Sequence, residues 1–166
     1  HRSRARHALA TAAFPARKTE DWKYTGLQPL LASGALSVAA RIGGAGPAAD
    51  ELPAIDAWRI VLVNGRLDVA QSRLPEDGSL AVNGLVGLAD AWQPRARELL
   101  ALGVSPRLPF AALNDAALVD GLCVRVARGA AAGKPLHVVF HAAGDRPATA
   151  QARLLVDVEA QASLTL

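Results

Sequence analysis

The sequence predicts an α+β chain leaning towards all-β, with short helices in its first two thirds and strands after them. Three observations carry this. From Leu122 onward apolar residues recur at every second position, the period of a strand with one buried face. Asn64-Gly65 sits between two apolar runs, the strongest short-range hairpin signal. Between those regions, residues 109–119 place Phe110, Leu113, Ala117 and Leu118 at the spacings of a helical face.

Taken in order, residues 1–13 are basic and Ala-rich and read as a flexible stub. Thr19 reads as a helix N-cap, with Glu20 and Asp21 in the first turn, where the helix dipole favours acids. Gly26 and Pro29 interrupt that helix. Aromatic residues are only 4% of the chain, so Trp22 and Tyr24, with Leu27, Leu30 and Leu31, are expected to fold residues 14–42 back onto the body. Residues 43–53 are rich in Gly, Pro and Ala and read as a loop. A hairpin is expected at 59–69, with Ile60–Val63 before the turn and Leu67 and Val69 after it. Pro75 to Ser79 form another turn. Residues 94–102 read as a helix with Pro at its start and Gly103 past its end. Asp120-Gly121 reads as the stop of the next one.

Strands follow. Leu122, Val124 and Val126 alternate with Cys123 and Arg125; Leu136, Val138 and Phe140 alternate with His137, Val139 and His141. The alternation from Leu154 to Leu166 is long for one strand and predicts two, bent near Ala160. Connections at 129–134 and 142–151 are longer than a tight hairpin and shorter than a helical crossover. That suits a β-solenoid or a loosely turned antiparallel sheet, and the pattern does not choose. The chain divides as 1–13, a 14–121 region of short helices and one hairpin, and a 122–166 strand core. The missing initial Met and the end inside a patterned run read as a fragment.

Composition excludes several classes. With 51% hydrophobic residues, including 36 Ala and 24 Leu, the chain can bury a core. The most apolar stretch, 129–144, is broken by Lys134, Pro135 and two His, so no membrane span is expected. A lone Cys123 excludes an internal disulfide and fits a reducing, cytoplasmic setting. Six of the basic residues lie in 1–30 against two acids, and the remainder is near balance. No nucleic-acid surface is expected in the body.

The search for chemistry yields no catalytic, cofactor-binding or metal-binding residue. There is no P-loop, dinucleotide fingerprint, nucleophile elbow or Cys-x-x-Cys pair. Gly43-Gly44-Ala45-Gly46 lacks a preceding strand. His137 and His141 share a strand face but lie about 13 Å apart at roughly 3.3 Å per residue, too far to converge on one ion. Cys123 would be the only soft co-ligand, and it reads as a packing residue. Asp157 and Glu159, two apart on one face, have the scale of a glycosidic carboxylate pair but alternate with polar residues as an exposed face does. Trp22, Trp58 and Trp92 share no spacing and read as core plugs.

Several blocks together resemble one family. Residues 14–25, Phe-Pro-Ala-Arg-Lys-Thr-Glu-Asp-Trp-Lys-Tyr-Thr, are similar to the N-terminal signature of the SufD branch of the SufB/SufD family, scaffold subunits of SUF iron–sulfur cluster assembly. The blocks 61–65, 110–121, 134–140 and 152–166 follow in the family's order. Gly26 stands where the family often has Pro. The resemblance implies a helical N-terminal region followed by the first rungs of a right-handed parallel β-helix, cut short at Leu166. It also implies a non-catalytic scaffold acting with a SufB-like paralogue and a SufC-like ATPase, whose contacts lie mostly beyond Leu166. No cofactor is implied for this segment, the cluster being handled by the full complex. The alternatives are a β-solenoid enzyme acting on polysaccharide and a generic protein-binding solenoid.

Overall fold

Asn64 and Gly65 take φ of 49° and 81°, the paired positive angles of a two-residue hairpin turn. In the computed structural model, which describes residues 14–15, 19–34, 44–101, 109–118, 120–144 and 149–166, they join β1 (Trp58–Val63) to β2 (Arg66–Arg73) in antiparallel register. A bulge after Arg59 is stitched by Ser72, whose hydroxyl accepts from the Val61 N–H at 3.1 Å and donates to the Asp68 carbonyl at 2.6 Å. Asn64 also fastens the next strand. Its amide nitrogen donates to the Ala143 carbonyl and its amide oxygen accepts from the Ala143 N–H, each at 2.9 Å. That holds the end of β5 (Leu136–His141), which pairs with β1 in parallel from Trp58–Leu136 to Val63–His141.

A second sheet repeats this plan. β3 (Leu80–Gly84) lies antiparallel to β4 (Asp120–Val126), and β4 lies parallel to β6 (Ala152–Val158). The two sheets have the orders β2-β1-β5 and β3-β4-β6. They meet through their alternate residues: Ile60, Leu62 and Leu136 from the first, and Leu80, Leu122, Val124 and Val126 from the second, form the main core. Burying a side chain of this kind contributes about 1.5–3 kcal/mol.

Three α-helices are described. α1 (Gln28–Ala32) buries no residue. α2 (Gln93–Ala101) has Pro94 in its first turn, where the missing N–H has no helical partner to lose. It covers the outer face of the second sheet, setting Ala96 against Cys123, Leu155 and Leu88. α3 (Pro109–Ala117) is pinned to the start of β6 by Asn114. The Asn114 amide donates to the Ala152 carbonyl and Gln151 Oε1 at 3.0 Å each and accepts from Arg153 Nε at 3.0 Å.

Three expectations are corrected. The strands are not rungs of a parallel β-helix: they form two separate mixed sheets, neither closed, each with one antiparallel and one parallel pair. Period-two alternation states which face of a strand is buried and is silent on its neighbour. Nor do helices dominate the N-terminal side, since α2 and α3 lie between β3 and β4. Asp120-Gly121 does not stop a helix, because α3 ends at Ala117 and these two residues open β4. There the Asp120 carboxylate accepts from the Val86 N–H at 2.9 Å.

Near the N-terminus, Thr19 precedes only a single 3₁₀ turn, Glu20–Trp22. Trp22 and Phe14 rest on Phe110 of α3, with ring centroids 5.3 and 5.6 Å away. Tyr24 is 92% exposed and does not join them. The basic stub of 1–13 lies outside the described residues. So does the proposed helix stop at Gly103.

Among the described residues, Gly121 marks the closest approach of a glycine to the backbone of another strand. A Cβ there would meet the Arg153 carbonyl oxygen at 2.3 Å across the β4–β6 pair. Overpacking of this kind costs about 1–3 kcal/mol. Gly121→Ala should therefore lower the unfolding free energy by that amount, read as a lower urea midpoint, and an unchanged midpoint would show that β6 does not approach β4 so closely.

Candidate functional site

The alternation of β6 puts Leu155 and Asp157 on one face, and Glu159, just past the strand's end, lines the same cavity as Asp157. Parallel register sets Cys123 beside Leu155 and Arg125 beside Asp157. This is the face that α2 covers, so the start of the helix brings Trp92, Arg95 and Glu98 over it. Between them lies a cavity of about 560 Å³.

Charge pairs line its walls. Arg95 donates from Nε and Nη2 to Oδ1 of the buried Asp157, at 3.1 and 3.0 Å, and from Nη1 to Glu98 Oε2 at 2.9 Å. Arg125 donates from Nε to Glu159 Oε1 at 2.7 Å, and its Nη2 reaches the same oxygen. Glu159 Oε2 accepts from the Arg128 N–H at 3.0 Å. The Arg125 guanidinium also lies over Trp92, 5.7 Å from the ring centroid, an arrangement in which the ring quadrupole attracts the cation.

The electrostatics follow from these contacts. Arg125, and then the Arg128 N–H, hold the Glu159 carboxyl below its ordinary value. Hydrogen bonds to Asp157 and then Glu98 raise Arg95 further. Burial, and then the Asp157 charge, push the Cys123 thiol up, with Arg125 opposing. A thiol raised in this way keeps its proton at neutral pH and is a poor nucleophile. Glycosidic chemistry needs a carboxyl kept protonated, the reverse of what Arg125 does to Glu159. The arrangement is a binding cavity whose charged walls are largely neutralised.

The residues weighed from sequence are dispersed. His137 and His141 lie on β5 in the first sheet, while Cys123 lies on β4 in the second, so the three do not meet. Among the described residues no three His, Cys, Asp or Glu side chains gather as a metal site would require. Gly46 packs on the Gln71 side chain, where a Cβ would come within 2.2 Å. Trp58 donates to the Ala132 carbonyl at 2.6 Å. Asp157 and Glu159 do line one cavity, but it is not the open, arginine-free face expected of them. Arg125 comes from the neighbouring strand and Arg95 from α2. These two, with Arg128 and Glu98, are not singled out by the sequence, and Trp92, expected as a core plug, lines the cavity instead. Their meeting depends on the β4–β6 register and on where α2 lands, neither of which is written in local spacing.

No family model matches the chain. A curated protein of Escherichia coli (strain K12), the iron–sulfur cluster assembly protein SufD, is 30% identical over 164 residues. The match covers 95% of this chain and 36% of that protein, so the chain spans about a third of its relative's length. Among the described residues no helix is long and apolar enough to cross a membrane.

The Glu159 pairing has a pH signature. A carboxyl held below its ordinary value stabilises the fold above that value and loses the contribution as pH falls through its folded value. Thermal melts should therefore show the protein losing stability below about pH 4.5, the ordinary glutamate value. Glu159→Gln should flatten that acid limb. Asp77, held low by Ser79, titrates in both proteins and leaves the comparison intact. Parallel pH profiles would mean that the Arg125–Glu159 pair contributes nothing.

Proposed function

We propose that this chain belongs to a SufD-type scaffold subunit that supports iron–sulfur cluster building and transfer to apo-proteins in the cytoplasm. The reading is supported by one observation above others: 30% identity to the E. coli SufD protein that runs through 95% of this chain. The ordered blocks at 14–25, 61–65, 110–121, 134–140 and 152–166 support it further. On this reading the segment is non-catalytic. The cluster is cargo of the assembled complex, which includes a SufB-like paralogue and a SufC-like ATPase bound mostly through segments beyond Leu166.

Two features of the segment accord with a structural role. The Asp157 and Glu159 carboxylates are tied up by arginines, and its single thiol is buried beneath α2 with its proton held on.

A chimera tests the proposal. Residues 14–166 replace the aligned segment of E. coli SufD in a strain lacking that protein, and the activity of an iron–sulfur enzyme is measured in extracts. Restored activity, with the chimera co-purifying with the partner subunits, is the expected result. A chimera that is expressed and folded but restores nothing would refute the assignment.

A further inference from the structure

We propose that the cavity beneath α2 binds a small zwitterion, an α-amino acid with an aliphatic side chain. The internal pairs leave several hydrogen-bonding positions unspent. Both bonds that Arg95 gives to Asp157 fall on Oδ1, so among the described residues Oδ2 accepts none. Arg125 spends Nε and Nη2 on Glu159 and keeps Nη1. Arg128, another residue of the cavity lining, gives only its backbone N–H to Glu159, and its exposed side chain is in no ion pair among the described residues.

What remains is one carboxylate acceptor and two guanidinium groups on residues that line the same cavity. A simple anion would satisfy the arginines and leave Asp157 facing a like charge. A simple cation would do the reverse. A molecule with an ammonium at one end and a carboxylate at the other satisfies both, the ammonium at Asp157 and the carboxylate at Arg128 and Arg125, where guanidinium matches carboxylate geometry. The remaining wall is apolar. Trp92, Ala160 and Val158, the last 43% exposed, offer a surface for an aliphatic side chain. The cavity, about 560 Å³, falls within the roughly 300–1,000 Å³ of small-molecule sites and is large enough for such a ligand. This inference concerns a ligand of the segment itself and stands whether or not the scaffold reading holds.

The test uses the whole chain and three probes: L-leucine, 4-methylpentanoate, which lacks the amine, and 3-methylbutylamine, which lacks the carboxylate. L-Leucine at millimolar concentration should raise the melting temperature, because a ligand that binds only the folded state stabilises it by mass action. Neither half-ligand should match it. Arg128→Ala removes an exposed side chain and should leave the unliganded melt unchanged while weakening L-leucine binding about tenfold or more, the cost of a lost charge-assisted hydrogen bond. Asp157→Asn should impair L-leucine and leave the weak response to 4-methylpentanoate in place. The proposal is overturned by no response to L-leucine up to about 10 mM, beyond the weak end of specific affinity. It is also overturned by an equal response to either half-ligand, or by undiminished binding in Arg128→Ala.

Discussion

β4 is the strand on which the rest of the molecule depends, because it is buried on both faces. Leu122, Val124 and Val126 point into the core between the sheets, and Cys123 points the other way, under α2. A strand enclosed in this way needs a neighbour along each edge to satisfy its backbone groups. β3 supplies one in antiparallel register and β6 the other in parallel register. The demand explains the glycine at position 121, where β6 comes too close for any side chain. It also explains why α2 must lie where it does, since otherwise Cys123 and Leu155 would face water.

The cavity is a by-product of that arrangement. α2 covers part of the β4–β6 face with Ala96, Leu99 and Leu100, and Trp92 and Arg95 at its start line the cavity over the rest. The walls that result carry charge, yet each buried or half-buried carboxylate has a guanidinium beside it. Leaving such a carboxylate unpaired would cost more than the pair gains, which is why the two arginines and the two acids occur as sets.

How much of this was legible differs from place to place. Asn64-Gly65 announces its turn in two letters because few residues tolerate positive φ. The helical spacing of 109–119 and the alternation of 122–126 and 136–141 are equally local, and helix and strands stand at those places. Partnership was not legible. β4 and β6 lie far apart in sequence, and nothing in Arg125 says that it will stand beside Asp157. The same gap leaves the sheets open: alternation fits a solenoid as well as a pair of mixed sheets, and the β-helix that the resemblance implies is not the arrangement found. Tyr24 shows a different limit. Its ring is apolar enough to be buried, but a single 3₁₀ turn can present only Trp22 to Phe110.

One feature of the pairing constrains how this segment can change over time. From Asp120 opposite Ala152 to Ala131 opposite Ser163, the two stretches keep a constant offset, through both strands and the turns that follow. The turns themselves are cross-linked: Gly129 donates to the Ala160 carbonyl at 3.1 Å and Ser163 to the Ala130 carbonyl at 3.0 Å. An insertion or deletion of one residue in either turn would break that lockstep and move Ala130 and Ala162, both packed against the main core, off the apolar side. Length changes at 127–130 and 159–162 are thus tolerable only in matched pairs, whereas the turn at Gly78, where an added Cβ would meet nothing within 4 Å, has room to vary alone.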